Sequence, residues 1–344
     1  MKALNSNWVN NRSTTQIEKI FRWLKNPIGA LVRIIEKLYF GNPLFLLIKG
    51  YGDISEVKHL SNVLNESKDS DNYQYFSSAR VSLKNRLVLL DTGHVSAPDH
   101  SSHSFLSGNM WKEVRALQKA SDTKLYFKMI PMPLPEYYYH FLIDDIPSLL
   151  QTIRNNPDYV PIFHKEIPNF AREVMNSLSL DFQVSSHSVV EIKNLLVPRK
   201  KINYMVEFRS ELEQRFNFKG KSPNESGERI FIGRRNLSRG NTKWESELFS
   251  TLNGFGFKEI DPDEMSFIDQ AHTFANAKAI VSLHGGALSN LVFCSPGTRV
   301  IEVFNHEYRT YPFGRISREL GLTYKSFEAD NFEELKKNLQ KEFV

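Results

Sequence analysis

The chain has 344 residues, 41% hydrophobic and 24% charged, with 44 Lys+Arg against 39 Asp+Glu for a formal charge of +5, a near-average globular composition that excludes a disordered, collagen-like or repeat chain. That length suggests about two domains, and a single cysteine, Cys294, excludes an internal disulfide and argues against a cysteine-built zinc site. The longest unbroken apolar run lies near Leu44 to Ile48, far short of the ~20 residues a membrane-spanning helix needs, so a soluble or peripheral protein is expected.

Up to Phe40 there are seven Lys and Arg residues against Glu18 and Glu36, so this arm holds the whole excess and the remaining chain sums to zero. A neutral body argues against a broad nucleic-acid-binding face. Within the arm, Ile17, Ile20, Phe21 and Leu24 fall at helical spacing, as do Ile28, Leu31, Ile35, Leu38 and Tyr39 after Pro27. Two readings stay open for this basic amphipathic pair. It lies in an anionic membrane interface through residues 15–40, or it docks its apolar stripe on the body. No compact apolar region ends in a small-residue cleavage site, so a secretory signal is not expected.

From about Phe45 to Val197 the pattern is mixed, with β-like runs at Arg86–Leu90 and Lys124–Phe127. The polar loop from Asp91 to Gly108 carries His94, His100 and His103, whose spacing is not the i, i+4 pair a helix offers zinc. Farther on comes Tyr137-Tyr138-Tyr139-His140-Phe141-Leu142-Ile143-Asp144-Asp145-Ile146-Pro147. In a helix His140 and Asp144 share a face. They could take a proton from an attacking hydroxyl, or merely satisfy one another at a helix start.

A helix is expected over Tyr204 to Phe216, followed by a Gly/Pro/Ser/Asn-rich linker from Lys219 to Gly227. The expected organisation is therefore an arm over 1–44 and two α/β domains over 45–218 and 219–344. After the linker, strands at Arg229–Ile232, Phe257–Ile260, Ala279–Leu283 and Arg299–Phe304 alternate with helices at Trp244–Leu252 and Phe267–Ala275 and a short one after Leu283. That rhythm predicts βαβ units and a parallel sheet, with ligand at the carboxyl ends of the strands.

Two loops lie at such ends. In His284-Gly285-Gly286-Ala287-Leu288-Ser289-Asn290 the paired glycines allow close backbone approach, and the following helix offers free N–H groups to a diphosphate. The segment is neither a Walker A loop nor a G-x-G-x-x-G fingerprint; the alternative is a tight turn with a capping histidine. In Gly233 to Asn241, Arg234, Arg235 and Arg239 present planar forks to phosphate oxygens, a reading favoured over a surface charge run because of where the loop sits.

Taken in order, these segments resemble glycosyltransferase family 61. The family's His-aromatic-Leu-x-Asp-x-x-Pro signature looks like His140 to Pro147. Its later signatures look like Ile232-Gly233-Arg234-Arg235 with Arg239 and Asn241, Gln270 with Ala277, His284 to Phe293 with Pro296-Gly297, and Val300-Ile301-Glu302. Two departures are visible: the family usually reads His-Gly-Ala-Gly where this chain has His284-Gly285-Gly286-Ala287, and the Asn-Glu pair usual after the arginine loop appears only loosely as Asn241 and Glu245. The resemblance implies a GT-B-like fold of two Rossmann-like α/β domains, an inverting mechanism, a nucleotide-sugar donor held mainly by the C-terminal domain, and no bound metal or other cofactor.

In that reaction Asp144 would be the base, with His140 orienting or replacing it. Arg234, Arg235 and Arg239, with the N–H groups of the turn at Gly285, Gly286 and Ala287, would stabilise the leaving diphosphate. His284 would donate to a phosphate or sugar oxygen, Asn241 and Asn290 would complete the donor site, and Glu302 would accept from the ribose or the base edge. The expected substrates are a nucleotide-sugar, foremost a UDP-sugar, and a glycan or lipid-linked acceptor of capsular or surface polysaccharide. The expected location is the cytoplasm, with the arm on the inner face of the membrane. The competing readings are a catalytically silent nucleotide- or glycan-binding protein and a membrane adaptor without nucleotide affinity.

Overall fold

The computed structural model describes residues 72–84, 86–89, 95–96, 116–121, 123–199, 204–218, 227–233, 245–304, 312–329 and 331–343. The basic arm, the histidine loop with His94, His100 and His103, and the arginine loop with Arg234, Arg235, Arg239 and Asn241 lie outside the described residues.

The first sheet is built from β1 (Tyr73–Ser82), β2 (Leu87–Leu89), β3 (Val95–Ser96), β4 (Lys124–Pro131), β5 (Val160–His164), β6 (Gln183–Ser185) and β7 (Val189–Pro198), in the spatial order β3-β2-β1-β7-β4-β5-β6. Strands β7, β4, β5 and β6 run parallel, whereas β1 is antiparallel to β7 and carries an antiparallel β2–β3 extension. The sheet is therefore mixed rather than wholly parallel, because a short connection turns β1 back into β2 where a crossover helix would have kept the strands parallel. Strand β4 pairs with β7 through Lys124 to Met129 and with β5 through Met129 to Pro131. Lys128, at φ 53°, marks the bend between these partners.

Between β4 and β5 the chain runs through a π-helical segment, His140–Asp145, directly into α1 (Ile146–Asn155). The π turn is set by the Ile146 N–H reaching back to the Phe141 carbonyl, and Pro147 occupies the first turn of α1, where its missing N–H costs nothing. Helix α2 (Asn169–Ser177) precedes β6, and α3 (Met205–Phe216) follows β7 and ends on Asn217 in the left-handed region.

The second sheet contains β8 (Glu228–Ile232), β9 (Phe257–Ile260), β10 (Ala277–Leu283), β11 (Arg299–Phe304) and β12 (Thr323–Glu328). All five pair in parallel in the order β12-β11-β10-β8-β9. The connecting helices are α4 (Glu245–Asn253), α5 (Phe267–Ala275), the 3-10 helix Gly286–Phe293 and α6 (Pro312–Glu319), and α7 (Phe332–Phe343) follows the last strand. Chain direction away from β8 goes to β9 and away from β10 goes to β11, so the order reverses between β8 and β10. That topological switch point is where a doubly wound sheet opens a crevice for ligand.

Side-chain alternation sorts this sheet's faces. Phe231, Val281, Ile301 and Val303 meet Leu248, Leu252, Leu335 and Leu339 of α4 and α7. Ile230, Ile280 and Val300 turn the other way, toward Phe274, Leu288, Leu291, Phe313 and Ile316. The latter cluster is continuous with Phe141, Ile143, Ile146 and Leu149 of the π segment and α1 and with Phe208 and Leu212 of α3, so the two sheets share one apolar core. Polar contacts cross the same seam: Arg209 Nε donates to the Cys294 carbonyl at 2.7 Å and the Phe267 N–H donates to Glu173 at 2.5 Å. No helix among the described residues is long and apolar enough to cross a membrane.

Candidate active site: two histidine–carboxylate pairs

The loop leaving β4 delivers Tyr138, Tyr139 and His140 to this seam. His140 Nδ1 lies 2.8 Å from Asp144 Oδ2, with the imidazole 27% exposed and the carboxylate 2% exposed. A carboxylate accepts and the ring N–H donates, so Asp144 fixes the tautomer and leaves Nε2 on the edge of the ring away from it. Tyr204 holds the segment from behind by donating to the Ile143 carbonyl at 2.7 Å, and burial, then the nearby Asp144, push its phenol up. The next residue, Asp145, turns instead toward Arg86 Nη2 at 3.3 Å. Arg86 is fully buried, which pulls its guanidinium down to about 10 against the opposing effect of Asp145. Consecutive carboxylates thus have different partners, and the π turn lets both be met.

At the switch point of the second sheet, the turn after β10 begins with His284, whose N–H extends the ladder to the Val303 carbonyl at 2.9 Å. Its Nδ1 lies 2.5 Å from Glu302 Oε1, and Tyr324 of β12 donates to Glu302 Oε2 at 2.5 Å. The His284 ring stacks on Phe304 at 5.1 Å and 25° and leans on Phe313 at 5.7 Å. Gly285 and Ala287 are half-buried and Gly286 is exposed at the start of the 3-10 helix. A Cβ at Gly286 would meet nothing within 4 Å, so no packing contact of the fold requires glycine there, whereas close approach of a ligand would. At Gly233, by contrast, a Cβ would collide with the carboxylate of buried Glu245; there the fold itself demands glycine.

The two histidine pairs are joined by a short run of rings. Tyr139 lies 5.1 Å from His140 and 5.6 Å from Phe313, which in turn touches His284. The Tyr139 phenol also feels the Arg315 guanidinium of α6. Burial and then Asp144 push the Tyr139 phenol up, with Arg315 opposing. Burial opposes the charge on Arg315, but Tyr139, Glu319 and Asp144 together hold its guanidinium above the ordinary value.

Two of the expected donor residues are buried and have protein partners. Asn290 is 0% exposed, accepting from Tyr138 at 2.6 Å and donating to Gln270 Oε1 at 2.7 Å, while Gln270 is anchored on the Pro262 and Met265 carbonyls. The Asn290 amide therefore ties the His140 segment to the second sheet. Glu302 is likewise 0% exposed, with His284 and Tyr324 as partners. The sequence could not show that alternation and helix phase turn both inward. Tyr139, Phe313, Arg315 and Tyr324 were not anticipated. They come from separate elements, and only the preceding glycine in Gly314-Arg315 hints at a close approach: a Cβ at Gly314 would sit 3.1 Å from the Tyr324 ring.

A parallel sheet with a glycine turn at its switch point, joined across one seam to an oriented His–Asp pair, defines an α/β protein with two polar clusters at that seam. Residues 138–301 match the family described as Glycosyltransferase 61. That region thus matches a glycosyltransferase family 61 domain, and the match supports glycosyltransferase activity with a donor and an acceptor. The matched span contains His140, Asp144 and His284 and stops just short of Glu302. No curated protein in the comparison matches the chain.

Proposed function

We propose that the protein is an inverting, metal-independent glycosyltransferase of GT-B-like arrangement that moves a sugar from a nucleotide-sugar, foremost a UDP-sugar, to a glycan or lipid-linked acceptor of capsular or surface polysaccharide. The observation that carries this reading is the joining of the His140–Asp144 pair to the glycine turn at the switch point through Tyr139 and Phe313. In the proposed reaction His140 Nε2 takes the proton of the acceptor hydroxyl as the oxygen attacks the anomeric carbon, and the carbon–oxygen bond to the diphosphate breaks. Asp144 orients the imidazole and balances its new charge. This exchanges the roles first assigned from sequence, because the buried partner of such a pair is poorly placed to meet substrate.

The leaving diphosphate is met by the N–H groups of the turn at Gly285 to Ala287, by His284, and by Arg234, Arg235, Arg239 and Asn241 of the loop that follows β8. Electrostatic stabilisation of that developing charge supplies most of the rate in such sites. We place the reaction at the cytoplasmic face of an anionic membrane, reached through residues 15–40.

The test is a nucleotide-release assay over a panel of UDP- and GDP-sugars with and without EDTA. Wild-type release that survives EDTA, and its loss by about a hundredfold to ten-thousandfold in His140→Ala, is the expected result. A His140→Ala variant as active as wild type refutes the assignment of the base. Release by Asp144→Asn should fall less, since the ring remains and only its orientation and charge balance suffer.

A further inference from the structure

Glu302 is a fully buried carboxylate, and its partners are His284 and Tyr324. Among the described residues no lysine or arginine pairs with it, and the His284 ring and the Tyr324 hydroxyl are the groups that meet it there. A buried carboxylate is costly unless an opposite charge and hydrogen bonds meet it. The surroundings are built to hold this one ring. Alternation along β11 puts Glu302 on the same face as Val300, beneath the turn that carries His284. Phe304 and Phe313 clamp the imidazole from two sides. Gly314 leaves the room that lets the Tyr324 ring reach Glu302 from β12.

We infer that Glu302 and Tyr324 are positioning residues that fix the His284 ring against the terminal phosphate of a nucleoside diphosphate, an inference that rests on the donor reading above and deepens it. With Nδ1 committed to Glu302, the polar atom His284 offers to a ligand is Nε2. That edge begins the same turn whose Gly286 faces open space. A hydrogen bond between that edge of the ring and a phosphate oxygen is charge-assisted, and the carboxylate behind it fixes the ring without occupying the ligand side. Tyr324 satisfies the second carboxylate oxygen, so that Glu302 is fixed on one ring geometry.

The prediction separates phosphate from sugar and base. Calorimetric titration of wild type, Glu302→Gln and Tyr324→Phe with UDP, UMP and uridine reads it directly. Glutamine keeps the shape but removes the charge and turns one of the two acceptor oxygens into a donor. UDP affinity is expected to fall by about tenfold to a hundredfold in Glu302→Gln, and by less in Tyr324→Phe, while uridine affinity stays at the wild-type value. Equal losses for all three ligands, or a loss that already appears with uridine, would overturn the inference in favour of a ribose or base contact or a general disturbance. Unchanged UDP affinity in both variants overturns it as well. Absence of UDP binding by the wild-type chain would remove the donor reading itself and this inference with it, which keeps the two failures distinct. Should Glu302→Gln not fold, Tyr324→Phe and His284→Gln carry the same ligand series.

Discussion

Replacing Asn290 by alanine separates a residue that holds the site together from one that holds the ligand. The Asn290 amide is completely buried, takes the Tyr138 hydroxyl at 2.6 Å and gives a hydrogen bond to Gln270 at 2.7 Å. Truncation strands a phenol donor and an amide acceptor away from water. Each such orphan costs about 1–3 kcal/mol, so the variant should lose roughly 2–6 kcal/mol, which corresponds to about 3–8 °C in melting temperature for a protein of this size. Thermal melts should show that loss, while UDP affinity measured below the transition stays within about twofold of wild type. A cycle with Tyr138→Phe should be less than additive, with a coupling of about 0.5–3 kcal/mol, because either change alone already breaks the bond they share. A variant with an unmoved melting temperature and a tenfold loss of UDP affinity would refute the reasoning and restore Asn290 to the donor site.

Three further outcomes follow from single residues. Gly286→Val should fold with a melting temperature close to wild type, since a Cβ there meets no protein atom within 4 Å, yet weaken UDP by about tenfold or more if the ligand occupies that space; unchanged UDP affinity would place the donor elsewhere. Arg86→Leu should cost about 3–5 kcal/mol in urea unfolding by removing the buried guanidinium that meets Asp145, and an unchanged midpoint would show that Asp145 does not depend on it. Burial pulls the His164 imidazole below 6.5, so below that pH the unfolded chain binds a proton that the folded chain takes up less readily. Stability should therefore fall as pH drops below about 6.5 and level off under the folded value. His164→Gln should flatten that part of the curve, and an identical pH profile in the variant would contradict the assignment.

Much of the second sheet was legible because its physics is local. Ala279 to Leu283 and Val300 to Phe304 are apolar runs of strand length, buried on both faces, and the glycines after the first of them mark a strand-to-helix turn. The first sheet was less legible. Its β1, with Gln74, Ser77, Ser78, Arg80 and Ser82 among its apolar residues, alternates imperfectly and joins the sheet only by pairing with β7, more than a hundred residues later. Pairing of that range leaves little trace in a local pattern.

The sequence by itself determined that His140 and Asp144 would meet, because four residues within one helical segment leave them little choice, and that His284 would stand at the head of a glycine turn. It also determined where the positive charge lies, in the arm and in one loop. Which member of each pair looks outward was decided only by tertiary structure. Asp144 and Glu302 lie beneath their histidines because α1 and β11 are packed against a shared core, and burial follows from the neighbours on the far side of a side chain. The same packing gave Asn290 to Tyr138 and brought Tyr139, Phe313 and Tyr324, from three separate elements, around two imidazoles. Spacing along the chain can bring two residues together, but the surfaces that cover them decide which one substrate can reach.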